Sequence, residues 1–267
     1  MNDDNLEEPG ESTAHRHPLA DHPLTALRLA KVEASRQAGI EPYPVGHRRS
    51  ATAAELHEEY ADLEPGCETG RRVQMTGRLM NVRAMGKLTF GVLSEMSGEI
   101  QLFVSKAVIG GDAFADFADL DGGDLLWVDG EVMTSKRGEL SIKVSSFSLL
   151  AKALRPLPEK WQGLKDLETR SRRRYLDLMV NEESRRIATA RATIISELRS
   201  QFVQRGYVEY ETPVLQTLAG GALARPFETH HNALDIPMYL RIATELHLKR
   251  LIVGGLEKVF EIGRVFR

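Results

Sequence analysis

Hydrophobic and polar positions divide the chain into stretches of different period. Residues 1–23 have none: they are polar, acidic and punctuated by Pro and Gly, which predicts a disordered tail. Leu24, Leu27 and Val32 then fall at helical spacing among Arg28, Lys31 and Arg36, and Gly39 followed by Pro42 and Pro44 predicts the stop. Thr52 and Glu55 have the spacing of a capping box, in which each side chain satisfies a free backbone N–H at a helix start. Over residues 72–150 the period shortens to two. Leu140, Ile142 and Val144 alternate with Ser141, Lys143 and Ser145, and Ile100, Leu102 and Val104 alternate with Gln101 and Phe103, as half-buried strands do. With Val73–Met85, Lys87–Glu95 and Asp124–Thr134, turn signals separate about five strands. Between the third and fourth, Phe114, Phe117 and Leu120 fall at helical spacing. Five strands with a helix after the third predict an OB-type barrel; an SH3-like or other small barrel also fits the pattern.

Residues 151–165 contain two prolines and a glycine and read as a linker. Helical period returns at Asp166, and Ile187, Ile194, Leu198 and Phe202 share one stripe of a helix of about 24 residues that Gly206 closes. Tyr207–Glu211 reads as a short strand, and Pro213 keeps it from continuing as a central one. Phe227–His231 and Met238–Ile242 predict a hairpin around Asn232–Pro237. Thr244 is placed to cap a helix that runs to Val253 and closes at Gly254-Gly255, and a last strand begins near Lys258. The pattern predicts an α+β chain: helices in 24–65, a barrel in 66–150, and a second unit in 166–267.

Composition adds exclusions. No run approaches the roughly 18 apolar residues of a membrane span, and the acidic N-terminus is unlike a secretory signal. Cys67 is the only cysteine, so no internal disulfide or Cys-based metal site forms. It is expected to be an inert, partly buried thiol in a reducing compartment, the cytoplasm. The net charge of −3 hides a segregation: residues 150–205 hold thirteen Lys/Arg against seven Asp/Glu. Such a band attracts a polyanion despite the overall sign, although a solvated arginine-rich helix face accounts for it as well.

Generic catalytic signatures are few. No Ser/His/Asp spacing stands out and no Walker-type loop is present. His230 and His231 are neighbours in an expected strand and so point to opposite faces, which suits a structural role better than a shared metal. Gly220-Gly221 would let backbone approach a ligand, and Glu245 at a helix start is favoured by the dipole alone.

Longer blocks are more specific. RRRYLDLMVN, RGYVEYETPVLQTLAGGALARPF, THHNALDIPMYLRIATELHLKRLIVGG and KVFEIGRVFR resemble, in order, a class II lysyl-tRNA synthetase. GRLMNVRAMGKLTF, EIQLFV and RGELSI resemble the anticodon-binding OB domain of the same enzymes. Aspartyl and asparaginyl synthetases share the architecture but do not usually carry GGALARPF followed by MYLRIATELHLKR, which favours lysine. The resemblance implies a five-stranded OB barrel and the beginning of a class II antiparallel β-sheet domain with its long motif-1 helix. It implies activation of lysine with ATP and Mg2+ to lysyl-adenylate, then transfer to tRNA-Lys. Arg267 matches the second-motif arginine that holds the substrate carboxylate and α-phosphate, and Glu245 the residue that receives the lysine α-ammonium. Gly220 and Gly221 match the backbone lining of that pocket. Arg83, Phe90, Gln101 and Glu139 match the residues that read the anticodon, although Phe90 groups with Leu88 and Val92 and also reads as core. The basic N-terminal helix and the Arg170–Arg174 run are expected on phosphates. Residues 182–213, closing on Pro213, match the first motif, which builds a homodimer; a helix packed within one subunit is the alternative.

Two departures modify the resemblance. Thr244 stands where the family usually has proline. The sequence stops at Arg267, inside the second motif, so the third motif, the acidic Mg2+ ligands and the carboxylates that select the lysine side chain are not in it. The chain is therefore expected to hold no metal ligands and to be inactive alone. A non-catalytic tRNA-binding paralogue, or a partner that pairs with a synthetase through residues 182–213, are the competing readings.

Overall fold

In the computed structural model, which describes residues 23–158 and 164–267, the stretch of period two lies in a closed barrel whose first strand begins at Glu68, four residues before the expected change of period at 72. The expected disorder of residues 1–22 and the centre of the expected linker, 159–163, lie outside the described residues. The chain divides into two units between Gln162 and Gly163.

In the first unit, α1 (Pro23–Gln37) and α2 (Ala53–Glu59) precede β1 (Glu68–Met85), β2 (Leu88–Ser94) and β3 (Glu99–Ser105). The short helices α3 (Lys106–Ile109) and α4 (Gly111–Ala118) lead to β4 (Leu125–Thr134) and β5 (Leu140–Ala151). The strands close in the order β1-β2-β3-β5-β4, antiparallel throughout except between β3 and β5. That order, with helix inserted after the third strand, is the OB arrangement and removes the SH3-like alternative. Closure requires β1 to serve two neighbours: Arg72–Arg78 pair with β4 and Arg78–Met85 with β2, across a register shift between Leu79 and Asn81. At Gly130, where the β4–β5 register also shifts, a Cβ would overlap the Lys143 carbonyl, so the strands cross there only because no side chain is present.

Alternation held on β3 and β5, whose Ile100, Leu102, Val104, Leu140, Ile142 and Val144 are buried together. On β2 it runs opposite to hydropathy. Thr89, Gly91 and Leu93 face inward, and Leu88, Phe90 and Val92 face outward, half-exposed. The reason lies elsewhere in the chain: a Cβ on Gly91 would sit 2.9 Å from Leu79 Cδ1 and 3.5 Å from Cζ of Phe117, the fully buried plug that α4 inserts into the barrel. The capping box of α2 forms as expected, with Thr52 N donating to Glu55 at 2.8 Å and Glu55 N to Thr52 Oγ1 at 3.3 Å. Ala53 and Leu56 of α2 join the core.

The α1 face that packs is Thr25, Arg28 and Val32, whereas Leu24 and Leu27 are 47% and 56% exposed. Arg28 donates to the carbonyls of Ala153 and Arg155 at 2.7 and 3.1 Å, and Lys31 to that of Asp119 at 2.6 Å. Lys152 lies buried between Asp121 and Asp124, at 2.5 and 2.7 Å. Arg28 and Lys31 thus bind their own barrel rather than phosphates. Cys67 is exposed, not partly buried.

The second unit runs α5 (Leu167–Arg172), α6 (Arg174–Val180), α7 (Glu182–Gln204), β6 (Val208–Glu209), β7 (Leu215–Gln216), β8 (Glu228–His231), β9 (Ile236–Leu240), α8 (Glu245–Val253) and β10 (Val259–Phe260). β7, β9 and β8 form an antiparallel sheet, and β10 pairs with β6 in parallel. Asp177, with no exposed surface, accepts from Arg170 Nε at 2.9 Å and Arg174 Nη1 at 2.7 Å, while Arg170 Nη2 reaches Ser184 Oγ at 3.1 Å. Burial opposes ionisation of Asp177, but the hydrogen bonds from Ser184 and Arg170 and the two arginine charges outweigh it, holding the carboxyl below its ordinary range. Arg172 pairs with Glu168, so three arginines of the 170–174 run are held within the unit. On α7, Phe202 stacks on Phe260 with centroids 4.7 Å apart, but Ile187, Ile194 and Leu198 are 48%, 60% and 48% exposed.

Candidate functional site

Residues two apart on a strand share a face, so the outer side of the barrel presents rows across its strands. Arg83 stands opposite Phe90, Phe90 opposite Phe103, and Phe103 opposite Lys143. The next row is Asn81, Val92, Gln101 and Ser141. The Phe90 and Phe103 rings meet edge to face, centroids 5.6 Å apart at 77°. Arg83 is exposed and makes no ion pair among the described residues, whereas Lys143 reaches Glu68 at 2.6 Å. Glu139 ends the turn before β5: its N–H donates to Ser135 Oγ at 3.1 Å and its carbonyl accepts from Ser135 N at 2.8 Å. The buried Ser141 hydroxyl lies 2.9 Å from the Glu139 carbonyl and 3.0 Å from Gln101 Oε1. The four residues singled out on the barrel are therefore linked through neighbours, and Phe90 belongs to the outer face rather than the core. Half-exposed rings beside a free cation and an amide suit an unstacked base and its phosphate. Phe103, Ser141 and Lys143 were not singled out as site residues, although their alternation with Leu102 and Ile142 already set them opposite the core positions.

In the second unit, Gly221 has φ 86°, and a Cβ on it would sit 3.1 Å from Glu245 Cβ and 3.2 Å from Ala243 Cβ. A Cβ on Gly220 would meet Leu246 Cδ1 at 2.8 Å. The Gly-Gly backbone therefore lies directly on the first turn of α8. Arg267 Nε donates to the Ile242 carbonyl at 3.1 Å, and Phe266 N to that of Arg241 at 2.9 Å. Gly220, Gly221, Glu245 and Arg267 converge on residues 241–246. Pro213 is exposed beside Thr212. The exposed Glu245 carboxylate pairs with Lys249, one turn on. Thr244 occupies the N-cap position but with helical backbone (φ −91°, ψ −6°), so its hydroxyl makes no capping bond. His230 bonds Asp235 at 3.0 Å and His231 Nδ1 accepts from Leu234 N at 3.2 Å, which ties both histidines to their own hairpin.

Arg241 is the residue that sequence reasoning missed here. It donates to the Thr212 carbonyl and hydroxyl at 3.0 Å each, to the Arg264 carbonyl at 2.8 Å, and to Glu261. Thr212 Oγ1 also donates to Glu261 Oε2 at 2.6 Å, and the Arg241 and Glu261 side chains are each 4% exposed. This buried pair fixes the segment that carries Arg267 against the end of β9. Its signal was a lone arginine within the apolar run MYLRIA, since a buried charge needs a partner. Among the described residues no three His, Cys, Asp or Glu side chains gather as a metal site. No helix among them is long and apolar enough to cross a membrane.

The barrel and the convergent second unit define a class. Residues 166–267 match the family of class II tRNA synthetases (D, K and N) and residues 73–150 match the OB-fold nucleic acid binding domain, so the chain carries a class II synthetase domain beside an OB-fold domain. Its curated relatives narrow this further. The lysine–tRNA ligase of Synechococcus sp. (strain CC9311) is 51% identical over 91% of this chain and 50% of its own length. That of Enterococcus faecalis (strain ATCC 700802 / V583) is 50% identical over 96% and 52%, and that of Lactococcus lactis subsp. lactis (strain IL1403) 53% over 90% and 49%. The chain thus spans about half the length of the curated relatives it matches.

Proposed function

We propose that this chain serves lysine–tRNA ligation in the cytoplasm, reading the tRNA anticodon on its barrel and contributing one wall of the lysine and ATP site. The observation that carries the reading is the convergence of Gly220, Gly221, Glu245 and Arg267 on residues 241–246. In this reading the planar Arg267 guanidinium bridges the lysine carboxylate and the α-phosphate, offsetting negative charge as the carboxylate attacks phosphorus. Glu245 receives the α-ammonium, and the Gly-Gly backbone lies close because it has no side chain. Arg83, Phe90, Gln101 and Glu139 take the anticodon. The exposed stripe of α7, with Pro213 at the end of its motif, is the surface a second copy covers in a homodimer. Mg2+ would accompany ATP on residues other than these.

The 267 residues by themselves are expected to bind tRNA-Lys in a salt-sensitive manner, in a filter-binding assay at two salt concentrations. They are expected to give no lysine-dependent ATP–pyrophosphate exchange. Absence of tRNA binding would sink the anticodon reading, and measurable exchange would overturn the expected inactivity.

A further inference from the structure

We infer that a cavity behind the first turn of α8 is a binding site for a small oxyanion, phosphate or carboxylate, held by Gln216, His247 and Arg250. The cavity lies within the second unit, between β7 and α8, and encloses about 170 Å³. Sites for drug-sized ligands run to roughly 300–1,000 Å³, so only a group of a few atoms fits. Alternation on β7 leaves Leu215 exposed and turns Gln216 inward, where it is 6% exposed. Its Nε2 is buried without a hydrogen-bond partner among the described residues. Buried donors are ordinarily paired, because an unpaired one forfeits its hydration. Helical spacing brings the other two residues to the same wall. Leu246 and Arg250 are four apart, and His247 and Arg250 three apart, so they are neighbours on one face of α8. Lys249 belongs to the adjacent face, where it pairs with Glu245 one turn back.

The lining decides the charge of the ligand. Its polar side chains are Gln216, Thr217, His247 and Arg250, and no carboxylate is among them. Arg250 is exposed and makes no ion pair among the described residues, so its permanent charge remains available to a ligand. A guanidinium takes phosphate or carboxylate through two parallel N–H bonds. Imidazole, neutral or charged, carries at least one N–H for His247 to donate. An amide exchanges donor for acceptor by half a turn about its last bond, so Gln216 offers Nε2 to an anion whichever end faces the cavity beforehand. A cation would meet the Arg250 charge with nothing to offset it. Leu246, which also lines the cavity, lies against the Gly-Gly loop, where a Cβ on Gly220 would meet its Cδ1 at 2.8 Å. The cavity nevertheless uses neither Glu245 nor Arg267, so the inference does not rest on the lysine reading.

The test uses the full chain and two-dimensional proton–nitrogen NMR, titrated with inorganic phosphate or with acetate against chloride at constant ionic strength. The Gln216 side-chain amide signals, identified by their loss in Gln216→Leu, are expected to shift saturably with phosphate, acetate or both, and the tighter of the two names the group the site prefers. Arg250→Gln is expected to weaken that binding at least about tenfold, the loss of one hydrogen bond to a charged partner. Gln216→Leu, followed through the His247 ring signals, is expected to do the same. In chloride alone it is expected to melt no lower than wild type, because it removes a buried donor that has no partner. Lys249→Gln, which removes one positive charge from the same helix outside the cavity, is expected to bind as wild type does. No saturable shift with either anion, or a response in Arg250→Gln equal to that of wild type, would overturn the inference. Equal weakening in Lys249→Gln and Arg250→Gln would overturn it as well, by assigning the effect to net charge.

Discussion

Phe90 faces solvent because of residues that are not its neighbours in sequence. Leu79 and Phe117 fill the interior beside Gly91, and β2 presents its larger side chains outward as a result. An outward ring and an adjacent free arginine make separable predictions. Phe90→Ala is expected to weaken RNA binding by about 1–3 kcal/mol, the range for losing one base–aromatic stack, without changing the dependence of log affinity on log salt. Arg83→Ala is expected to lower that slope by about 0.7, as for one phosphate contact to a single strand. Titrations at several salt concentrations measure both, and a slope change in Phe90→Ala would assign it to electrostatics instead. Arg83, Phe90, Gln101 and Glu139 were legible through motif resemblance, and alternation placed Gln101 outward. Phe90 was ambiguous because Leu88, Phe90 and Val92 read as a core face in hydropathy, and the plug that reverses them comes from another element. Arg241 was hidden for a related reason: its partners Thr212 and Glu261 lie 29 and 20 residues away.

At the scale of elements, helices were legible from period and strands from alternation, including the helix inserted after β3. Pairing direction was not, because β6 and β10 are two residues each and nothing local distinguishes parallel from antiparallel partners. The helix α7 carries the sharpest consequence. A stripe holding Ile187, Ile194 and Leu198 in solvent is too apolar for a free surface, and burying one such side chain is worth about 1.5–3 kcal/mol. Ile194→Glu is expected to shift the proposed dimer to monomer in concentration-dependent sedimentation, with helix content unchanged by circular dichroism. A monomer in the wild type at high concentration would remove the dimer from the proposal.

Over the whole molecule, part of the charge that the sequence offers to a polyanion is paired within each unit. Arg28, Lys31 and Lys152 hold α1 and the end of β5 to the barrel, and Arg170 and Arg174 hold the start of α7 through Asp177. Each unit therefore contains a carboxylate kept below its ordinary range. For Asp121 burial works against ionisation, and the Lys152 and Lys31 ammonium groups outweigh it; for Asp177 the hydrogen bonds from Ser184 and Arg170 and the arginine charges do so. A carboxyl whose native pKa is depressed stabilises the fold fully above its unfolded value, about 3.9 for Asp, and loses that contribution as pH falls through the native value. Urea midpoints are expected to be flat from pH 7 to about 5 and to drop below about 4. Asp177→Asn is expected to lower stability at neutral pH and to flatten the acid limb of the second unit; an acid limb identical to wild type would assign that limb to other groups.

The parallel join between β3 and β5 has a kinetic consequence. It consists of three residue pairs, Gln101 with Ser141, Leu102 with Ile142 and Phe103 with Lys143, and with the β1–β4 pairing it is one of the two non-local joins of the closed barrel. The hairpins β1–β2 and β4–β5 are local, but the β3–β5 join brings together residues 40 apart and the β1–β4 join residues at least 47 apart (Arg78 with Leu125), so the loop-closure cost of both is met late. The outward members of these pairs are the candidate base readers. Until the tube closes, Gln101 lacks Ser141 opposite it and Phe103 lacks Lys143, so a partly folded chain lacks that face, and the proposed RNA-reading surface is completed in the same step as the barrel.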